Sequence, residues 1–171
     1  MKRILLLSIL CLINIYNINA QRFAFIDMEY ILENIPEYQQ ATSNLDQLSQ
    51  QYQNIVEAKV KEAEKLYKSY QQTSSSLSNS ERTQKEETII AKEKEISELR
   101  IKYFGPEGEM AKKQNELIMP IEDKIYEVVK LIAIQHGYDA VIDRASANSI
   151  IFASPKIDIS NEILSKLGYS K

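Results

Sequence analysis

The segment PEYQQATSNLDQLSQQYQNI, Pro36 to Ile55, sets apolar side chains at Tyr38, Ala41, Leu45, Leu48, Tyr52 and Ile55. Their spacing of 3, 4, 3, 4, 3 is the seam of a coiled coil. Pro36 resets the chain just before it, since proline is tolerated in a helix's first turn but not in its interior. A long helix is therefore predicted to begin near Glu37. Beyond Ile55 the seam thins: Lys59 takes the next position, and only Ala63, Leu66 and Tyr70 continue the stripe. Glu57 with Lys61 and Glu64 with Lys68 stand four residues apart in the favourable order, as on a solvated helix face.

Helix character ends in Thr73-Ser74-Ser75-Ser76-Leu77-Ser78-Asn79-Ser80, whose hydroxyl and amide groups compete for backbone hydrogen bonds. This run is read as a reversal tip. Ser78 precedes Glu81 by three, the capping-box arrangement, so a second long helix starts near Ser80 with Ile89, Ile90, Ile96, Leu99 and Tyr103 as its apolar positions. Gly105-Pro106-Glu107-Gly108 interrupts it with a kink or short loop. Periodicity resumes at Met110, Leu117, Ile121, Ile125, Val128 and Ile132, with a second bend or a new helix expected at Pro120. His136-Gly137 closes the helix, glycine supplying a left-handed cap and histidine facing the negative end of the helix dipole.

The flanks read differently. Phe23-Ala24-Phe25-Ile26 is a short buried strand, followed by a short helix from Met28 to Asn34. Asp139 to Arg144 and Ser149 to Ser154 read as two further strands joined as a hairpin by Ala145-Ser146-Ala147-Asn148. Asp158 is placed to cap a last helix running to Leu167, with Gly168 as its terminator. The fold class is α+β: a small sheet body from 21–36 and 137–171, and a long protruding helical hairpin over 37–136. Its tip lies near 73–80 and its break near 105–108. Arms on the order of 35 residues would each reach about 50 Å. So small a sheet has exposed edges and little core, which makes oligomerisation through the body the natural solution.

Composition bounds the function. Across 171 residues there are 21 basic and 24 acidic side chains, 44% apolar and 26% charged residues, 4 Gly and 4 Pro; this is neither disordered, collagen-like nor polytopic membrane. Lys2-Arg3 precede the apolar run Ile4 to Ile13, too short to span a bilayer, and Ala20 precedes Gln21: a secretory signal peptide over residues 1–20. Its removal takes the only cysteine, Cys11, so no disulfide, thiol nucleophile or Cys-ligated zinc is expected in an exported chain that suits a bacterial periplasm. The acidic balance argues against a nucleic-acid partner. No catalytic set, metal-ligand spacing or phosphate loop is present, so no catalytic residue, metal or cofactor is assigned. Asp27, Asp139 and Asp143 read as turn formers at strand ends.

The order of Phe25-Ile26-Asp27-Met28-Glu29-Tyr30-Ile31-Leu32, a long charged hairpin, Gly137-Tyr138-Asp139-Ala140-Val141-Ile142-Asp143 and Lys156-Ile157-Asp158-Ile159-Ser160 resembles the Skp/OmpH family of periplasmic chaperones. Phe104-Gly105-Pro106-Glu107-Gly108 resembles a variant found in Bacteroidetes-like members. The resemblance implies a homotrimer whose β body holds three helical hairpins around a cavity. It would receive unfolded outer-membrane proteins without ATP and act beside the outer-membrane assembly machinery or a lipid surface. On that basis Phe23, Phe25, Ile26, Val141, Ile142, Ile150, Ile151 and Phe152 are the candidate trimer body. Tyr52, Ile55, Leu66, Tyr70, Ile89, Ile96, Leu99 and Tyr103 are candidate client contacts, the plainer reading being that they hold each hairpin together.

Two departures stand out. The best-known members have strongly basic arms, whereas residues 38–119 carry 12 cations and 13 anions, which speaks against lipopolysaccharide binding and simple charge steering. The break at 105–108 interrupts what would be a continuous tentacle, and is a candidate hinge. The rival class is a coiled-coil adaptor or spacer docking an envelope assembly complex; a secreted enzyme is remote.

Overall fold

The computed structural model describes residues 21–147 and 149–169; the signal-peptide reading of residues 1–20 lies outside them. The elements run β1 (Phe23–Ile26), α1 (Met28–Glu33), α2 (Pro36–Thr73), a 3-10 turn (Ser74–Ser76), α3 (Asn79–Phe104), α4 (Glu109–His136), β2 (Ala140–Asp143), a 3-10 turn (Pro155–Ile157) and α5 (Ser160–Leu167). The chain is mostly helical, with one small sheet and a long helical hairpin. Two compact units emerge, one made of the residues up to Ile31 with those from Glu127 onward, the other of Leu32–Tyr126.

In the first unit β1 pairs with β2 in parallel, Phe23 against Ala140 through Ile26 against Asp143. The other side of β1 is occupied as well: Phe25 bridges to Asp158, and the Ile159 amide donates to the Phe25 carbonyl at 2.9 Å. Only one face of β1 is buried, through Ala24 and Ile26, which join Ile31, Ile132, Ile159, Ile163 and Leu164 in the core. Phe25, Val141, Ile142 and Ile150 are half-buried, and Phe23 is exposed.

The expected strand hairpin is corrected. No strand forms over 149–154 among the described residues, so the sheet there has two strands rather than three. The cause is local chemistry after β2. The Asp143 carboxylate accepts from the Met28 and Ala145 amides at 3.1 and 3.0 Å, and the Arg144 amide donates to the Ile26 carbonyl at 2.8 Å. Those bonds turn the chain aside directly after β2, before it can double back along that strand. Ile151 and Phe152 are left 101% and 80% exposed.

A polar knot ties this unit together. The Asp27 carboxylate accepts from the Tyr30 amide at 2.9 Å, as an N-cap does for α1. The buried Ser160 hydroxyl accepts from the Asp27 amide at 2.9 Å and donates to Asp158 at 2.6 Å, while the Ser160 amide also reaches Asp158. Arg144 pairs with Asp27 at 3.0 Å and Asp158 at 3.4 Å. Gly168 ends α5 at φ +92°, the left-handed conformation that other residues adopt only at a cost.

In the second unit α2 and α3 pack against each other, with Val56, Ala63 and Ile96 buried and Val60, Leu99 and Tyr103 packed around them. Pro36 occupies the first turn of α2. Ser78 caps α3 in a reciprocal box, its hydroxyl accepting from the Glu81 amide while Glu81 accepts from the Ser78 amide. Between α3 and α4 the Gly105 amide donates to Ile101 and the Gly108 amide to Gly105, each at 2.9 Å. The turn is tight rather than loose: a Cβ on Gly105 would lie 2.4 Å from the Ile101 carbonyl, and one on Gly108 2.8 Å from that of Lys102. Gly105 has an ordinary φ of −65°, so it is space that demands glycine here. Pro120 neither ends nor begins a helix; α4 runs through it.

Ser78→Ala removes one half of the capping box and should lower the stability to urea unfolding by about 1 kcal/mol, read by far-UV circular dichroism. Gly105→Ala should cost at least as much, roughly 1–3 kcal/mol, because the obstruction is backbone. A neutral Gly105→Ala would mean that the turn yields easily.

Candidate functional site

Along α2, Gln53, Val56, Val60, Ala63, Glu64 and Tyr67 fall on one helical face, and along α3 Glu93, Ile96, Arg100 and Phe104 do the same. They line two adjoining cavities of about 480 and 550 Å³ that share Val60 and Arg100, so the hairpin carries one continuous groove between its helices. Its floor is Val56, Val60, Ala63 and Ile96; Tyr67 stays 51% exposed at one end, and Phe104 closes the other.

At the Phe104 end, Tyr52 stacks on Tyr103 with ring centroids 4.1 Å apart, and both meet Phe104 edge-on at 6.4 and 6.5 Å. This aromatic cluster stands immediately before the glycine turn. Halfway along, four side chains from two helices close a ring of ion pairs: Lys59 to Glu95 at 2.8 Å, Glu95 to Lys92 at 3.1 Å, Lys92 to Glu62 at 3.3 Å, and Glu62 to Lys59 at 3.8 Å. Two of the four contacts cross between helices, so the ring fixes their register. It lowers the Glu95 pKa, chiefly through the Lys59 hydrogen bond and then that of Lys92. It raises that of Lys92, through Glu95 and then Glu62.

The residues expected to face a partner are mostly turned inward. Ile89 and Ile96 are buried, Leu99 and Tyr103 pack on the hairpin core, and Tyr52 stacks within it. Leu66 and Tyr70 are half-buried, and the Tyr70 hydroxyl donates to Glu86, which raises its pKa. Only Ile55, at 41%, is exposed. The seam passes to Val56 instead, because after Leu48 the inward positions step by four through Tyr52, Val56 and Val60 before reaching Ala63. The period has lengthened from the seven-residue toward the eleven-residue repeat, which unwinds a supercoil locally. Sequence reasoning missed Val56, Val60, Tyr67, Arg100 and Phe104; the run Tyr52, Val56, Val60 was the available signal.

A smaller recess of about 330 Å³, lined by Asn44, Gln47, Leu48, Gln51, Lys113 and Leu117, is rich in amides. In the first unit a recess of the same size lies beside Tyr30, Arg144, Asp158, Ser160 and Asn161, where the Tyr30 hydroxyl donates to Asn161 and Arg144 and Ser160 both engage Asp158. Asp27, Asp139 and Asp143 each accept backbone amides, as turn formers do. Burial alone would raise the Asp143 pKa, but hydrogen bonds from Met28, Ser146 and Ala145 outweigh it and the net shift is downward. His136 sits 3.0 Å from Glu162 and stacks on Tyr138. No group of three metal-ligating side chains, and no helix long and apolar enough to cross a membrane, occurs among the described residues.

The model of the family "Outer membrane protein (OmpH-like)" matches residues 22–167, and the chain belongs to that family. It is 24% identical over 151 residues to the chaperone protein Skp of Yersinia enterocolitica, covering 88% of each chain. It is 28% identical over 145 residues to an uncharacterised protein of Aquifex aeolicus, covering 85% of each. The crystal structure of an OmpH-like protein from Caulobacter crescentus CB15 shares the fold, with a TM-score of 0.63 at 11% identity over 86% of this chain and 83% of that one.

The ion-pair ring makes stability depend on pH with a defined sign. Glu95, depressed in the folded state, contributes above its unfolded pKa of about 4.3 and loses that contribution as pH falls through the folded value. Lys92, raised, contributes below about 10.4 and loses it as pH rises through its folded value. Thermal melts between pH 6 and 3 should show a shallower acid decline for Glu95→Gln than for the parent; identical slopes would remove the ring from the account.

Proposed function

We propose that the protein is an ATP-independent holdase chaperone of the periplasm that keeps unfolded outer-membrane proteins soluble until they fold. The observation that carries this reading is the match to the OmpH-like family across nearly all of the described chain, joined to curated relatives named as Skp chaperones. The physical features agree with it. The second unit is a thinly packed hairpin with an open apolar groove, suited to many weak contacts with a chain that has no fixed shape. In the first unit Phe23, Ile151 and Phe152 leave apolar area uncovered, which a homotrimer would bury together with the half-buried Phe25, Val141, Ile142 and Ile150; Ile26 is already in the core. Three hairpins held by such a body would enclose a cavity. Release would follow from competition as the barrel inserts into lipid, so no nucleotide is needed.

The test is dilution of a urea-unfolded outer-membrane β-barrel into buffer with and without the protein, with aggregation followed by light scattering. Suppression near one assembly per client, in the absence of nucleotide and without retention of the folded barrel, is expected. Scattering unchanged by the protein would refute the reading and direct attention to a fixed docking partner.

A further inference from the structure

The α2–α3 groove has a length, a floor and an arrangement of charge, and together these describe an occupant. From Gln53 to Tyr67 the groove follows about 21 Å of helix at 1.5 Å per residue. An extended chain rises about 3.3 Å per residue, so roughly six residues would fill it. The floor of Val56, Val60, Ala63 and Ile96 has no polar side chain to satisfy, and Tyr67 and Phe104 offer ring area at the two ends.

Charge around the groove is divided. Glu57 is spent on Lys61 at 2.7 Å, and the ring of Lys59, Glu62, Lys92 and Glu95 closes on itself. Three charged groups lining the groove make no hydrogen bond or ion pair among the described residues, Glu64, Glu93 and Arg100, although Glu64 lies within electrostatic reach of Lys61, whose pKa it helps to raise. Glu64 and Glu93 come from facing helices at the Tyr67 end, where two carboxylates border one stretch of apolar floor. Arg100 lies two helical turns from Glu93, toward Phe104. Among the groups without an ion pair the groove is therefore polar, with Glu64 and Glu93 toward the tip and Arg100 toward the glycine turn, where Glu57 also lines it but is paired with Lys61.

Resting on the chaperone reading and naming the chemistry it selects, we propose that this groove is a docking track for an extended apolar segment of an unfolded chain, about six residues long, with a lysine or arginine held between Glu64 and Glu93. Apolar side chains supply the contact, and the paired carboxylates choose the end at which a cation is accepted. The track thus selects segments by charge position rather than by net charge, which the arm's 12 cations and 13 anions over 38–119 could not do by bulk attraction.

The experiment uses the purified protein carrying a photo-crosslinking benzoylphenylalanine at Tyr67 or, as an apolar and exposed control outside the groove, at Ile90, which is 63% exposed. A urea-unfolded β-barrel is the first probe. Crosslinking at least fivefold stronger from position 67 than from 90 is expected. Equal yields from a protein that still keeps the barrel soluble would overturn the track and leave the chaperone reading standing; failure both to hold the barrel and to bind peptide would overturn both. Fluorescent seven-residue peptides of alternating Val and Tyr, with Lys or Glu at either end, are the second probe. The best Lys peptide should bind at least threefold tighter than its Glu counterpart, and the preference should vanish in the Glu64→Gln/Glu93→Gln variant, whose two exposed substitutions spare the core. A preference that is absent, or that survives this variant, would overturn the assignment of the carboxylates.

Discussion

Everything in the first unit depends on closing a chain whose partners are far apart. The Arg22 amide donates to Asp139, 117 residues away, and β1 must find β2 across the same interval. Loop-closure entropy grows only with the logarithm of length, so the separation is affordable once enough short-range bonds are made together. That is the part played by Asp27, Asp143 and Asp158. Each carboxylate takes backbone or hydroxyl hydrogens where a strand becomes a helix or turn, and Arg144 clamps two of them. A parallel pair of four-residue strands would be a weak unit by itself. Flanked by Asp158 and capped by this knot, it anchors the core of Ile31, Ile132, Ile163 and Leu164.

The second unit is built on the opposite principle. Its buried residues are few and spaced along one seam, and between them the helices are held by the ion-pair ring and the aromatic cluster. Surface ion pairs contribute little stability each but do set register. The consequence is a hairpin with defined geometry and an open apolar side. α2 changes its seam period at Tyr52 to Val56, and Tyr52 stacks on Tyr103 just before the glycine turn that separates α3 from α4. The change of phase in one helix and the break in the other thus meet at one aromatic contact. At this junction Gly105 and Gly108 leave no room for a side chain.

Much of this was legible because it is local chemistry. Pro36, the Ser78–Glu81 box, the Gly105–Gly108 turn, Gly137 and Gly168 mark helix ends through their own backbone demands, which no distant contact alters. What was not legible was decided at a distance. Ser149 to Ser154 has a strand's composition, but a hairpin needs the chain to double back along β2, and the bonds of Asp143 to Met28 and of Arg144 to Ile26 turn it aside there. Ile55 continued a seven-residue repeat on paper; Val56 is buried because α3 presents Ile96 and Tyr103 opposite it. The groove charges were hidden for the same reason. Glu64, Glu93 and Arg100 look like any solvated face until the ring has paired their neighbours.

The proposed function needs both an assembly that buries Phe23, Ile151 and Phe152 and the capture of an unfolded chain by thinly packed hairpins. Native mass spectrometry of the purified protein, alone and after dilution of a urea-unfolded outer-membrane β-barrel into it, reads assembly and capture in one spectrum. The account predicts a trimer that gains a single unfolded barrel and ignores the folded one. A monomer, or a stable oligomer that gains no client, would contradict it.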